Sequence, residues 1–305
     1  MSKVMSKVPV RVRSLEKRYG GVAAVDSVDL TVEDGDVYGY LGPNGAGKTT
    51  TLRMLLGLIQ RDGGTVELFG RDPADGIGAL EEVAGFVESP SFYPYLSGRE
   101  NLRLLGALDG GADRRHIDEV LDRVGLLDRA KDRVGTYSLG MRQRLGIAAS
   151  LMRSPRLLVL DEPTNGLDPA GIRDMRRLIS SLPEQGVTVL YSSHLLAEVE
   201  EVCNRVAIVN AGKIVFEGRL DELRASFGGA YRLQTGDDVR ALALVRANGA
   251  ADARIEHNAL WFDASQAVVD RITIALGRDE NPVRHLAREQ RSLEDLFFSL
   301  TEAAA

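Results

Sequence analysis

Residues 42–50 read Gly42-Pro43-Asn44-Gly45-Ala46-Gly47-Lys48-Thr49-Thr50, a GxxxxGK[ST] spacing that places three glycines before a lysine and two hydroxyls. Glycine at such positions lets backbone amides turn inward onto phosphate oxygens where a Cβ would collide. A lysine placed like Lys48 reaches the β- and γ-phosphates, and the Thr49 hydroxyl is a ligand for Mg²⁺. The spacing speaks for a nucleoside triphosphate without saying what becomes of it, since kinases, GTPases and motor ATPases share it. A second constellation lies downstream, where the apolar run Leu157–Leu160 ends in Asp161 and Glu162. Asp161 is suited to hold Mg²⁺ through water, and Glu162 to polarise an attacking water as general base. Two adjacent acids standing alone are as often a solvated strand end. The phosphate loop before them and Pro163-Thr164-Asn165-Gly166-Leu167-Asp168 after them favour hydrolysis.

These groups need a scaffold that presents strand ends and helix starts to one point. From Val8 to Gly218, β-branched runs alternate with amphipathic helical stretches and glycine-rich junctions, the pattern of an α/β domain with a mainly parallel sheet. The spacing predicts strands at Val37–Leu41, Leu157–Asp161, Val187–Ser192 and Val206–Asn210. It predicts helices at Thr49–Gln60 and Gly140–Met152, each opening at a glycine. Beyond Gly218 no loop carries chemistry, and the order of elements changes. Strands at Tyr231–Gln234, Ala253–His257, Leu260–Phe262 and Val283–Arg288, with helices at Val239–Asn248 and Ala267–Leu276, make a βαββαβ α+β unit. Leu293, Leu296, Phe297 and Leu300 mark one face of a last helix. Two domains are expected, residues 8–218 for nucleotide and residues 219–305 as an accessory unit.

With the motifs in this order, residues 8–218 resemble the ABC transporter ATPase family, a P-loop α/β fold with a mixed sheet and a helical signature subdomain. Tyr137-Ser138-Leu139-Gly140-Met141-Arg142-Gln143-Arg144 resembles the family signature, LSGGQ in its commonest form, with Tyr137, Leu139 and Met141 as departures. The resemblance implies that the Ser138 hydroxyl and Gly140 amide, at a helix N-terminus, bind the γ-phosphate of a nucleotide held by a second ATPase subunit. It further implies that Tyr19 stacks on adenine and that His194 is the switch histidine sensing the γ-phosphate. Asp168 is implied to link the two sites across the dimer. Glu88 stands where the family usually has glutamine, and the likeness implies an oxygen offered to Mg²⁺ or to the attacking water. The segments around Glu88 and Tyr137, with Leu293–Phe297, look like single-domain ATPases paired with separate membrane subunits in antibiotic-resistance and peptide-antibiotic immunity exporters. ATP and Mg²⁺ are the implied cofactors. A transmembrane permease and a second ATPase chain, a copy or a relative, are the implied partners.

Composition narrows the alternatives. A chain of 305 residues with net charge −6 lacks the basic surface that general nucleic-acid binding requires, so no nucleic-acid partner is expected. One cysteine, Cys203, excludes an intrachain disulfide and suits a reducing compartment. No apolar stretch approaches the about 20 residues that a bilayer span needs. The N-terminal segment has charge without an apolar core, unlike a signal peptide. A cytoplasmic location, peripheral on the inner face of the membrane through the permease, is therefore expected. Soluble ABC ATPases of translation or repair carry paired nucleotide domains or long coiled coils, and this chain shows neither. A phosphate-loop kinase would need an acceptor site that the sequence does not offer. The segment Phe86–Tyr95, rich in aromatics, is the expected contact for the permease.

Overall fold

Alternating burial marks the first strand, in which Val10 and Val12 are buried while Arg11 and Arg13 are exposed. A strand patterned this way lays one face on a core. The computed structural model describes residues 8–111, 113–226, 229–256 and 259–290. It divides the chain into two compact units after Leu220.

The first unit opens with β1 (Val10–Tyr19) and β2 (Val22–Val32), followed by β3 (Val37–Leu41), α1 (Lys48–Leu55), β4 (Gly63–Leu68) and β5 (Val83–Phe86). Three helices come next: α2 (Gly98–Leu108), α3 (Arg114–Arg123) and α4 (Leu139–Leu151). Then β6 (Leu157–Asp161), α5 (Pro169–Ser181), β7 (Thr188–Ser193), α6 (Leu196–Val202), β8 (Arg205–Asn210) and β9 (Lys213–Arg219) complete it. Strands β2, β1 and β4 form an antiparallel sheet in that order. The larger sheet runs β5-β6-β7-β3-β8-β9, parallel throughout except for the last pair.

β3, β6 and β7 are buried at every position, as central strands of a parallel sheet covered on both faces must be. Their register sets the site. Tyr40 pairs with Ser192 and Leu41 with Ser193, while Asp161 also pairs with Ser192. Three strand ends therefore stop at one level, with the loops after them converging there. Leu52, Met54 and Leu55 of α1 fill the space between the sheets, in one cluster with Val12, Leu30, Tyr40, Val159 and Leu190.

The helix predicted to run to Gln60 stops at Leu55. Gly57 takes φ +66, Leu58 N donates to Arg53 O at 2.8 Å, and Gly57 N donates to Met54 O at 3.1 Å. That bond pair is a Schellman termination, which a left-handed glycine makes cheap. The helical subdomain is capped by side chains. Ser97 and Glu100 form a reciprocal capping box on α2, Asp113 caps α3 and Ser138 caps α4. Gly146 on α4 admits close packing by Pro90 and Phe86, since a Cβ there would lie 2.6 Å from Pro90 Cγ.

α7 (Leu220–Ser226) leads into the second unit, which holds β10 (Gly229–Thr235), α8 (Asp238–Ala247), β11 (Ala251–Glu256), β12 (Ala259–Asp263), α9 (Gln266–Arg278) and β13 (Val283–Gln290). From β10 onward the order is βαββαβ, and the sheet runs β11-β12-β10-β13, antiparallel throughout. Leu233, Leu260, Phe262, Val245, Ile272 and Leu276 form its own core. The Tyr231 ring stacks on Phe262 with centroids 5.7 Å apart. The helix face expected from Leu293 to Leu300 lies outside the described residues. Among the described residues no helix is long and apolar enough to cross a membrane.

Tyr38, Tyr40 and Tyr191 sit on the central strands with almost no exposure. Burial pushes the Tyr40 phenol up to about 12, and burial raises Tyr38 and Tyr191 as well, with Glu217 adding to Tyr38. The unfolded phenol ionises near 10, so unfolding releases protons above that pH and stability falls as pH rises from 10 towards 12. Denaturant midpoints measured between pH 8 and pH 11 are expected to decline less steeply for Tyr40→Phe than for the parent chain. Identical declines would show that Tyr40 takes no part in the alkaline loss.

Candidate functional site

The loop between β3 and α1 is shaped by approaches that only glycine permits. A Cβ at Gly42 would lie 2.3 Å from Val209 O, and one at Gly47, where φ is +100, would lie 2.2 Å from Ala24 O. Gly45 also takes positive φ, and Asn44 and Gly45 are exposed while Ala46 is buried. The Gly42 amide is tied to Ser193 O at 3.2 Å, Ala46 N to Pro43 O at 3.2 Å, and Gly212 N to Ala46 O at 3.1 Å. α1 starts at Lys48 from a left-handed Gly47 without a side-chain cap. Its first amides, including those of Thr49 and Thr50, are the donors a helix start offers to an anion.

Lys48 is 4% exposed, yet its ammonium touches three oxygens. It donates to Gly42 O at 2.8 Å and Pro43 O at 3.2 Å, and it lies 3.2 Å from Glu162 Oε1. The other Glu162 oxygen is 3.1 Å from His194 Nδ1. Glu162 is thus held between a cation of the phosphate loop and an imidazole at the end of β7. Its φ of +45 is left-handed, a conformation that a non-glycine residue keeps only when its surroundings enforce it. Two bonds do so: Glu162 N donates to Ser192 Oγ at 3.0 Å, and Asn165 N donates to Glu162 O at 3.1 Å.

Asp161 occupies a different corner. The Thr49 hydroxyl donates to its Oδ2 at 2.8 Å, and the Ser192 hydroxyl donates to its Oδ1. A hydroxyl and a carboxyl at this distance beside an anion cradle are hard oxygen donors fit for a divalent cation. Among the described residues no cluster of three His, Cys, Asp or Glu surrounds them, so phosphate and water oxygens would have to complete the shell.

The remaining predicted residues divide. Tyr19, at the end of β1, is half exposed, with Lys17 Nζ over its ring 5.6 Å from the centroid. Ser138 is exposed at the start of α4, its hydroxyl accepting Met141 N at 3.2 Å, and Gly140 opens the same helix. No described hydrogen bond joins either of them to the Lys48–Glu162–His194 cluster. Asp168 is the N-cap of α5, accepting Gly171 N at 2.8 Å ahead of Pro169. Glu88 has φ +69, and its carboxyl meets the Arg53 guanidinium rather than Thr49 or Asp161.

Residues that the motifs did not reveal also shape the site. Ser192 serves both Asp161 and the Glu162 amide, and Arg53 restrains Glu88. Tyr137 is buried, and its hydroxyl donates to Arg129 O at 2.7 Å. Gly166 and Leu167 of the loop after Glu162 pack on Leu139 and Gly140 at the start of α4.

This geometry can hold a polyphosphate on backbone amides and Lys48, place a cation at Thr49 and Asp161, and aim a carboxyl at water beside the terminal phosphate. Comparison with known proteins shows the family. The ABC transporter family matches residues 25–165. The bacitracin transport ATP-binding protein BcrA of Bacillus licheniformis is 40% identical over 298 residues, covering 95% of this chain and 96% of that one. The lantibiotic transport ATP-binding protein SrtF of Streptococcus pyogenes is 39% identical over 212 residues, 70% of this chain and 91% of that one. Among solved structures, an ATP-binding subunit of an ABC transporter superposes with TM-score 0.63 at 29% identity, over 72% of this chain and 92% of that one. The chain belongs to the ABC transporter family as an ATP-binding subunit, an enzyme that hydrolyses ATP.

Proposed function

We propose that this chain drives the export of a peptide antibiotic or similar drug through a separate membrane permease, docked on the cytoplasmic face, by closing as a dimer on two ATP molecules. The observation that carries the reading is the placement of Glu162 between Lys48 and His194, with Thr49 and Asp161 alongside. The bacitracin and lantibiotic transport relatives support the class of cargo.

Residues 8–218 are the catalytic domain in this reading and residues 219–305 an accessory one. Gly42 to Thr50 enclose the phosphates, and Tyr19 stacks on the adenine. Thr49 and Asp161, with Glu88 beside them once Arg53 releases it, would hold Mg²⁺, which when bound would supply positive charge against the phosphates. Glu162 takes the proton of the attacking water, and His194 holds Glu162 in place and hydrogen-bonds the γ-phosphate. Lys48 stabilises charge gathering on the transferred group. Ser138 is exposed at the start of α4, two residues before Gly140, which supports their use on the nucleotide of a second subunit, with Asp168 linking the two sites in this reading. The Phe86–Tyr95 segment is the proposed permease contact, and Tyr93 and Tyr95 there are exposed with centroids 5.8 Å apart.

Glu162→Gln is expected to retain ATP and accumulate as a dimer by size-exclusion chromatography while kcat falls at least about a hundredfold, the scale of general-base loss. Turnover near the parental rate would remove Glu162 as the base. Glu88→Gln is expected to move the Mg²⁺ concentration for half-maximal ATPase while leaving ATP affinity at saturating metal in place. Superimposable metal titrations would remove Glu88 from the metal site.

A further inference from the structure

The first turn of α6 carries a glutamate that the chemistry above leaves unused. Glu198 is 2% exposed. Its Oε2 accepts the Thr164 hydroxyl at 2.6 Å and the Ser193 hydroxyl at 3.0 Å. Its Oε1 is equally buried and has no hydrogen-bond partner among the described residues. A half-satisfied carboxyl in a packed interior is destabilising relative to an apolar side chain of similar size. Stability therefore gives no reason for an acid here.

Its two partners do. Thr164 belongs to the loop that leaves Glu162, and Ser193 immediately precedes His194. Glu162 and His194 meet at 3.1 Å in the site, Ser192 Oγ accepts the Glu162 amide at 3.0 Å, and Thr164–Glu198–Ser193 joins the same two segments once more. The Ser193 hydroxyl also accepts the Leu195 amide at 3.0 Å, which fixes the turn carrying His194. Its one proton has two acceptors in range, Glu198 at 3.0 Å and Leu195 O at 3.3 Å, and the nearer is Glu198. The phosphate loop is tied to Ser193 through the backbone carbonyl instead, by the Gly42 amide. The side-chain brace and the ATP cradle thus use different groups of Ser193, its hydroxyl and its carbonyl.

We propose that Glu198 is a positioning residue for ATP hydrolysis, holding Thr164 and Ser193 on one carboxyl oxygen so that Glu162 and His194 keep their mutual distance. The proposal rests on the reading of Glu162 as general base. It predicts a change in kcat without a change in nucleotide binding, because small misplacements of reacting groups cost rate out of proportion.

The test is ATPase kinetics and thermal melting of the full-length chain carrying Glu198→Leu, Glu198→Gln, Thr164→Val, or Glu198→Leu with Thr164→Val. Glu198→Leu is expected to lower kcat about tenfold at unchanged ATP KM, and with Thr164→Val added, which leaves no Thr164 hydroxyl unpaired, the chain should melt no lower than the parent. Glu198→Gln, whose amide oxygen still accepts a hydroxyl, should recover most of that rate. Thr164→Val added to Glu198→Leu should cost little more, as for residues acting as one unit. Independent multiplying effects, an unchanged kcat in Glu198→Leu, or a rise in KM alone would overturn the proposal. So would a chain with both Glu198→Leu and Thr164→Val that fails to fold or whose melting temperature falls along with its rate, since Glu198 would then be structural. The base assignment fails separately: an active Glu162→Gln chain removes it whatever Glu198 does, whereas an inactive one with multiplying Glu198 and Thr164 effects removes only the brace.

Discussion

The contacts that join Asp161, Glu162 and His194 depend on the register between β7 and its two neighbours. β7 lies between the strand that ends in the phosphate loop and the strand that ends in Asp161, and Ser192 is level with both Tyr40 and Asp161. A one-residue slip would turn every side chain of β7 to the opposite face and break the Ser192 bonds to Asp161 and the Glu162 amide together. Continuous burial on both faces prevents the slip, because each residue of these strands has packing to lose whichever way it moves. The apolar core is in this sense a ruler for the chemistry.

Two of the strained residues stand where that ruler ends. Glu162 and Glu88 both hold left-handed backbone, a conformation that costs about 1–3 kcal/mol for residues with a Cβ. Each is tethered by a polar partner from another element: Glu162 by Lys48 and His194, Glu88 by Arg53. Glycine occupies the places where no tether could help, since at Gly42 and Gly47 a Cβ would run into main-chain carbonyl oxygens. The division is physical. A backbone atom cannot move aside, whereas a strained side-chain-bearing residue can be held by charge and released by a competing charge such as a bound phosphate.

The sequence made the central elements legible because their signals are local. Apolar runs ended by acids, glycines at fixed spacing and a βαββαβ rhythm each occupy one stretch of chain, and β3, β6, β8 and the tail elements lie where those signals put them. The early end of α1 was missed because amphipathic spacing continues to Gln60, while one glycine, Gly57, with its Schellman bonds, decides the matter. Pairings across long separations were beyond reach for the same reason. Arg53 with Glu88, Ser192 with Asp161 and Glu198 with Thr164 join residues 30 to 35 positions apart, and no spacing rule announces them. For Glu88 the consequence is specific: its place in the motif pointed to the metal, and a metal would have to compete with the Arg53 guanidinium that holds the carboxyl here.

The altered signature can be understood on the same terms. Tyr137 replaces the smaller residue common at the first place, and a phenol there needs room and a hydrogen-bond acceptor. Gly98 supplies the room, since a Cβ at that position would lie 2.5 Å from the Tyr137 hydroxyl, and Arg129 O supplies the acceptor. Arg142 closes the arrangement by donating to Tyr137 O at 2.6 Å from one turn along α4. The large residue therefore anchors the helix start from below without displacing it, and Ser138 keeps its capping geometry and exposure above. The start of α4 is thus held in part by a contact at position 98, far along the chain from the motif it supports.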